Sequence, residues 1–277
     1  GLFQSFDYTT GRESFRTLHL MMQVLGKVRM GLFPERDNYQ HLTLFVDSRG
    51  FTTRPIPFGD IVFEIALDLV DLVCRIRTSD GRSREIPLRP SIATFYQSVM
   101  ESLSALGVDV AIRPEPYDIP GEATPFIDDT GERDFDIAVV RRSWQIYLGI
   151  GSVLETVASG YSGKLTYPQF YWHHVDINSY RFHKSDGSSP ELTISSGFWI
   201  GDDTVGEPTL FSYHYPAPTE LKGKAELKPA GAFWGDNHTA LLRYNSIVGS
   251  PDPRQQCLDF YRSAIGVFTD AFSWEVS

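Results

Sequence analysis

The period of apolar and polar positions changes several times along this chain. From Ser14 to Gly31 it is helical. Leu18, Leu20, Met21, Met22, Val24, Leu25 and Val28 cover most of the circumference, and Arg16, His19, Gln23 and Lys27 form a narrow polar stripe. Pro34 ends the pattern. The period then shortens to two, and HLTLFV from His41, IVFEIALDLV from Ile61, LVCRIRTS from Leu72 and REIPL from Arg84 read as strands. Phe63, Ile65, Leu67 and Leu69 alternate with Glu64, Ala66 and Asp68. The parity then shifts to Val70, Leu72, Cys74 and Ile76, which predicts a bulge or tight turn near Val70–Asp71. Ser79-Asp80-Gly81-Arg82 predicts a hairpin turn. A second helix opens at Pro90-Ser91, runs through Phe95, Val99 and Leu103, and stops at Gly107, with a short strand expected over Val108–Ile112.

Pro114, Pro116, Pro120 and Pro125, with Gly121 and an acidic tail to Asp134, read as a linker. A long helix is expected from about Asp136 to Ser159. Strand signals follow at PQFYWHHV from Pro168, SYRF from Ser179, LTISSGFW from Leu192, TLFSYHY from Thr209, GAFW from Gly231 and ALLRY from Ala240. A last helix follows Pro251-Asp252-Pro253. Runs of strands bracketed by helices predict an α+β fold of antiparallel β-meanders flanked by helices. Two helix–meander–helix halves are expected, residues 1–113 and 135–277, joined by the 114–134 linker and packed as one unit.

Composition narrows the function classes. The 277 residues are 42% hydrophobic and 22% charged, an ordinary globular balance. The formal charge of -10 argues against a nucleic-acid partner, since such a surface repels phosphate backbones. No apolar run approaches the ~20 residues a membrane helix needs. Cys74 and Cys257 are too few for a disulfide framework or a four-cysteine zinc site, so a soluble cytoplasmic protein is expected. There is no G-x-G-x-x-G after a strand, no Walker A loop, no G-x-S-x-G elbow and no H-E-x-x-H; Gly149-Ile150-Gly151 lacks a third glycine. Dinucleotide, ATP and α/β-hydrolase chemistry are disfavoured.

Several segments together resemble one family: TLHLMMQVLGKVRMGL from Thr17, GFTTRPIPFG from Gly50, RTSDGRSREIPLRP from Arg77, FYQSVMESLSALGV from Phe95, SGFWIG from Ser196 and EPTLFSYHYPAP from Glu207. In this order they are similar to the domain-of-unknown-function family 5996 over nearly the whole chain. The resemblance implies no reaction and carries over no catalytic residue. Two departures mark this chain. Where members read similarly to FFWGSFDL, it has Phe170-Tyr171-Trp172-His173-His174-Val175-Asp176, and where members often show Ser-His-Glu before the GFW motif it has Pro190-Glu191-Leu192.

Four groups of residues are candidates for chemistry. The polar stripe of the first helix must face solvent or a polar cavity. In a cavity, His19 and Lys27 suit acid–base work, Lys27 also suits an anionic or carbonyl group, and Gln23 would contact substrate. The strand acids Glu64 and Asp68 stand about 13–14 Å apart at ~3.4 Å per residue, too far for a catalytic pair, and are expected to pair with Lys27 or Arg29. Five of the seven histidines fall between His173 and His238. On a strand His174 and Asp176 share a face, which with His214 or His238 would make a 2-His-1-carboxylate iron site, Arg243 holding a keto-acid carboxylate. Finally, twelve of the 55 residues from Tyr161 to Tyr215 are aromatic. Phe211, Tyr213 and Tyr215 share one strand face, and with Trp172 and Trp199 would wall an apolar pocket or simply pack a core.

The leading expectation is a cofactor-independent enzyme doing acid–base chemistry of the isomerase, cyclase or lyase type on a small apolar or aromatic molecule. His19, Lys27, Asp176 and His214 would be catalytic, and Gln23, Trp172, His174, Trp199, Phe211, Tyr213 and Tyr215 would bind substrate. No stoichiometric metal and no cofactor is expected. A non-catalytic small-ligand-binding or structural protein is the alternative, and a non-haem iron oxygenase comes third.

Overall fold

In the computed structural model, residues 1–183, 191–221 and 226–274 are described. The chain is an α+β protein of antiparallel β-meanders flanked by helices, divided into two compact units. One unit comprises Thr10–Trp144 with Gln169–Val175; the other comprises Gly1–Thr9, Gln145–Pro168 and Asp176–Ser277. No described helix is long and apolar enough to cross a membrane.

The first unit begins in helix α1 (Tyr8–Leu32). Leu18, Leu20, Met21, Met22, Val24, Leu25 and Val28 are fully buried, as a helix apolar around most of its circumference requires. Strands β1 (Phe45–Val46), β2 (Gly50–Thr52), β3 (Ile56–Phe58), β4 (Ile61–Asp68), β5 (Val73–Thr78) and β6 (Ser83–Pro87) follow. The sheet order is β1-β2-β4-β5-β6, with β3 also pairing β4. Ile65 pairs with Ile76 and Leu67 with Cys74, so one face of the β4–β5 hairpin is apolar except for Thr78, which pairs with Phe63. The expected parity shift is a tight turn. The buried Asp68 carboxylate accepts from the backbone N–H groups of Val70 and Asp71, and Leu72 takes φ 58°. Asp68 also binds Arg49 and Arg75, and Glu64 lies 3.6 Å from Arg77. Neither acid pairs with Lys27 or Arg29, because cross-strand arginines are nearer in register; Arg29 instead donates to the Thr53 carbonyl at 2.8 Å.

Helix α2 (Ile92–Ala105) is capped by Ser91, whose side chain accepts from the Thr94 N–H. The strand expected over Val108–Ile112 does not form. The chain turns out of α2 through Gly107 at φ 78°, and the Val108 N–H is taken by the Leu103 carbonyl. The 114–134 segment, expected as a linker, lies inside the first unit and is packed there. Phe126 is fully buried, its N–H donates to the Pro114 carbonyl, and the Asp129 carbonyl accepts from Ala93 N–H. Helix α3 (Ile137–Ala158) then leaves this unit.

The strand expected over PQFYWHHV is cut short. Only β7 (Gln169–Tyr171) is extended, and Phe170 exchanges backbone hydrogen bonds with Leu44. The chain turns over Trp172–Val175, with the Val175 N–H on the Tyr171 carbonyl and Val175 at φ 52°. Trp172 and His174 therefore do not share a strand face, and His174 is not placed by strand geometry beside Asp176.

The second unit holds β8 (Asp176–Phe182), β9 (Thr193–Trp199), β10 (Thr209–Tyr215), β11 (Phe233–Trp234) and β12 (Ala240–Arg243), with β9 between β8 and β10 and β12 between β10 and β11. The short α4 (Asn245–Val248) and long α5 (Pro253–Ala271) complete it, α5 starting at an Asp252 cap with proline in its first turn. Leu210, Ser212 and His214 form the buried face of β10, and their β9 partners Phe198, Ser196 and Ile194 are buried with them. Tyr147 of α3 meets Phe198 edge-on at 5.4 Å, and Tyr261 of α5 donates to the Gly197 carbonyl at 2.8 Å. A Cβ at Gly197 would stand 2.6 Å from the Phe211 ring, so glycine is what lets that ring lie across the sheet.

Candidate functional site

The polar stripe of α1 is a seam. Each of its members but one is fastened to another segment of the first unit. Arg16 lies 3.9 Å from Glu122, which also binds Arg133 at 2.8 Å. His19 Nε2 is 2.6 Å from the Trp172 carbonyl. A carbonyl only accepts, so Nε2 carries the proton. Burial pushes the His19 pKa down to about 4, which keeps the ring neutral. Gln23 binds the backbone of Tyr117 twice: its Oε1 accepts from the Tyr117 N–H at 2.8 Å and its Nε2 donates to the Tyr117 carbonyl at 2.7 Å. These bonds fix the amide orientation, so the 3.2 Å approach of Gln23 Nε2 to His19 Nε2 is a contact between two donors, not a bond.

Lys27 is the exception. The residue is 5% exposed, yet among the described residues it makes no hydrogen bond and no ion pair. Its ammonium stands 5.8 Å from the centre of the Phe126 ring, the outer limit of a cation–π contact. It forms part of a cavity of about 620 Å³, walled by Ile112, Pro114 and Pro116 with the more exposed Arg113, Glu115 and Tyr117. Burial lowers the Lys27 pKa; Glu115 opposes that shift and Arg113 adds to it. A partly desolvated amine at the floor of an open cleft, with one cation and one carboxylate on the same wall, can exchange a proton with a bound molecule or attack a carbonyl.

Gly26 sets the neighbouring geometry. A Cβ there would stand 2.3–2.4 Å from the Trp172 indole, so the ring can lie on α1 only because residue 26 has no side chain. The Trp172 indole N–H donates to the Leu42 carbonyl. His173 packs among Tyr117, Tyr171 and Trp172 at ring separations of 5.5–6.2 Å, and burial lowers its pKa to about 4. His174 is exposed and donates to the Asp118 carboxylate at 2.6 Å. Gln23 thus holds Tyr117 of the cavity wall, and neither Gln23 nor Trp172 lines the cavity itself.

The remaining candidates belong to the second unit. Asp176 accepts from Asn178 at 2.8 Å. His214 donates from Nδ1 to the Pro216 carbonyl and stacks on Phe272 at 3.6 Å; its Nε2 is buried with no hydrogen-bond partner, and burial lowers its pKa. Phe211 and Tyr213 stack at 6.1 Å on the half-buried face of β10, Tyr213 meets the Tyr180 hydroxyl at 3.4 Å, and Trp199 is half-buried on the same face. Tyr215 is 63% exposed. Among the described residues no group of three histidine, cysteine, aspartate or glutamate side chains is placed to hold a metal ion. Pro190, where the chain departs from the Ser-His-Glu pattern, lies outside the described residues.

Arg113, Glu115 and Tyr117 were missing from the sequence reading, because a proline-rich acidic stretch reads as a linker. The available signal was the stripe itself: four polar side chains on a buried helix need partners, and this segment carries the residues that supply them.

Fold and site together define an α+β protein with a strap-walled cleft whose lysine is unpaired among the described residues. The chain matches the model of the family of unknown function DUF5996 over residues 3–277 and belongs to that family. No curated protein and no solved structure matches it.

Proposed function

We propose that this protein is a cofactor-independent enzyme that moves protons on a small carbonyl-bearing molecule, in the isomerase, cyclase or lyase class, with Lys27 as the proton-transfer group. The observation that carries this reading is Lys27, a residue 5% exposed, unpaired among the described residues and part of a cavity large enough for a small ligand. A partly desolvated cation with no direct ion pair costs stability, and such a cost is commonly found at sites of function. His19 and Gln23 act as positioning residues, since they hold Trp172 and the Tyr117 strap. The ligand is small, with an apolar or aromatic body lying against Ile112, Pro114 and Tyr117. The reading places the protein in the cytoplasm, where the buried Cys74 and Cys257 remain thiols.

The test is carbon-bound hydrogen exchange. Wild type, incubated in D₂O with a panel of ketones, aldehydes and oxo acids, should incorporate deuterium beside the carbonyl of at least one compound. Lys27→Met should not exceed the uncatalysed rate. Equal exchange by both proteins across the panel would refute the reading. A binder without chemistry is the second reading, supported by the half-exposed aromatic face of Phe211, Tyr213 and Trp199, and it predicts binding with no exchange.

A further inference from the structure

We infer that the cleft takes 2-oxo acids, with Lys27 forming an imine at the keto carbon while Arg113 holds the carboxylate. This rests on the acid–base reading of the same cleft and deepens it. Three observations carry it. Among the described residues Lys27 has no carboxylate or carbonyl within hydrogen-bond or ion-pair distance, so none of them occupies its nitrogen. A desolvated amine with a lowered pKa has more of the neutral form that attacks carbonyl carbon. Arg113 stands on the same wall, and a guanidinium binds a carboxylate through two parallel N–H donors. An apolar ketone leaves that cation unused; a 2-oxo acid pairs it with the carboxylate adjoining the reacting carbon.

The step balances without a co-reactant. The neutral Lys27 amine donates its lone pair to the keto carbon as the C=O π electrons move to oxygen. A proton passes from nitrogen to oxygen, giving a carbinolamine. Protonation of its hydroxyl releases water, the C–O bond breaks, and the nitrogen lone pair forms C=N⁺. In this step Glu115, which lines the same cavity, carries the proton. The iminium then acidifies the neighbouring C–H, which is how the cleft achieves proton transfer at carbon. Hydrolysis by the released water restores the amine.

The experiment is reductive trapping. The full chain is incubated with pyruvate or phenylpyruvate and sodium borohydride, and adducts are mapped by peptide mass spectrometry. Phenylacetaldehyde serves as the probe without a carboxylate. One reduced adduct is expected, on Lys27, formed faster than at any other lysine, because a lowered pKa raises its free-amine fraction. Lys27→Arg, which keeps the charge, should abolish it. Arg113→Met should remove the preference for oxo acid over aldehyde and leave trapping of the aldehyde in place. Adducts spread over surface lysines, or trapping unchanged in Lys27→Arg, would overturn the imine. Equal trapping of acid and aldehyde by wild type would overturn the role of Arg113 and with it the substrate class. If deuterium exchange depends on Lys27 but borohydride traps nothing there, the imine fails and the acid–base reading stands. If wild type neither exchanges nor traps, both fail.

Discussion

Gln23 and the backbone of Tyr117 pair as two strands would, one N–H donated each way at 2.7 and 2.8 Å. A single side chain on α1 thus satisfies both polar backbone groups of a residue in an irregular, proline-rich segment. Gln23→Leu removes both bonds and leaves the Tyr117 N–H and carbonyl without protein partners. The expected cost is about 1–3 kcal/mol. Urea denaturation should show it, and hydrogen exchange should show the Tyr117 amide opening faster than the amides of α1.

Gly26 and Trp172 are matched by shape. Gly26→Ala places a methyl group where the indole now lies, and one of them must move. Overpacking of this kind costs about 1–3 kcal/mol. The loss of stability should be accompanied by a red-shifted Trp172 contribution to the emission spectrum as the ring leaves its buried site.

His19 and His173 give the first unit an acid limit. Both have folded-state pKa values of about 4 against an ordinary 6.5, because burial opposes the charged ring. For His19 the neighbouring His173, His174 and Arg16 add to the effect, and the Trp172 carbonyl opposes it. Between pH 6.5 and 4 the unfolded chain binds more protons than the folded one. Stability is therefore intact above pH 6.5, falls as pH drops through this window and levels off below 4. The loss is up to roughly 3 kcal/mol for His19. His19→Gln keeps a donor for the Trp172 carbonyl and should flatten the melting temperature profile over that range relative to wild type.

Lys27 should behave in the opposite sense to an ordinary buried side chain. Its folded pKa lies below the usual 10.5, so the protonated folded state carries a desolvation cost. Lys27→Met removes that charge and keeps most of the volume. The variant should melt at or above wild type at pH 7. Wild-type stability rises with pH through the window between its folded pKa and 10.5, so the gap should narrow there. A variant clearly less stable at pH 7 would show that Lys27 is a structural residue.

Much of this fold was legible because burial and period agree. The α1 pattern predicted a buried helix, and the parity shift after Leu69 predicted the turn that Asp68 now caps. Strand signals failed where local hydrogen bonding won. Val108 bonds back to Leu103, and Val175 bonds back to Tyr171. Alternation does not encode such turns, and the His174–Asp176 spacing lost its meaning with the second of them. The cleft was half legible. Lys27 stood out as a cation on an apolar helix, but its neighbours Arg113, Glu115 and Tyr117 lie about 90 residues away in a stretch without period. Only the packed chain brings them to one wall.

The central claim is that the Lys27 amine is desolvated and unpaired in the folded protein. Reductive ¹³C-dimethylation of the lysines, with Lys27→Arg to assign the signal, allows its titration to be followed by NMR. The account predicts that the Lys27 resonance titrates below the ordinary lysine value of 10.5 and apart from the surface lysines. A Lys27 resonance that titrates together with the surface lysines would contradict it.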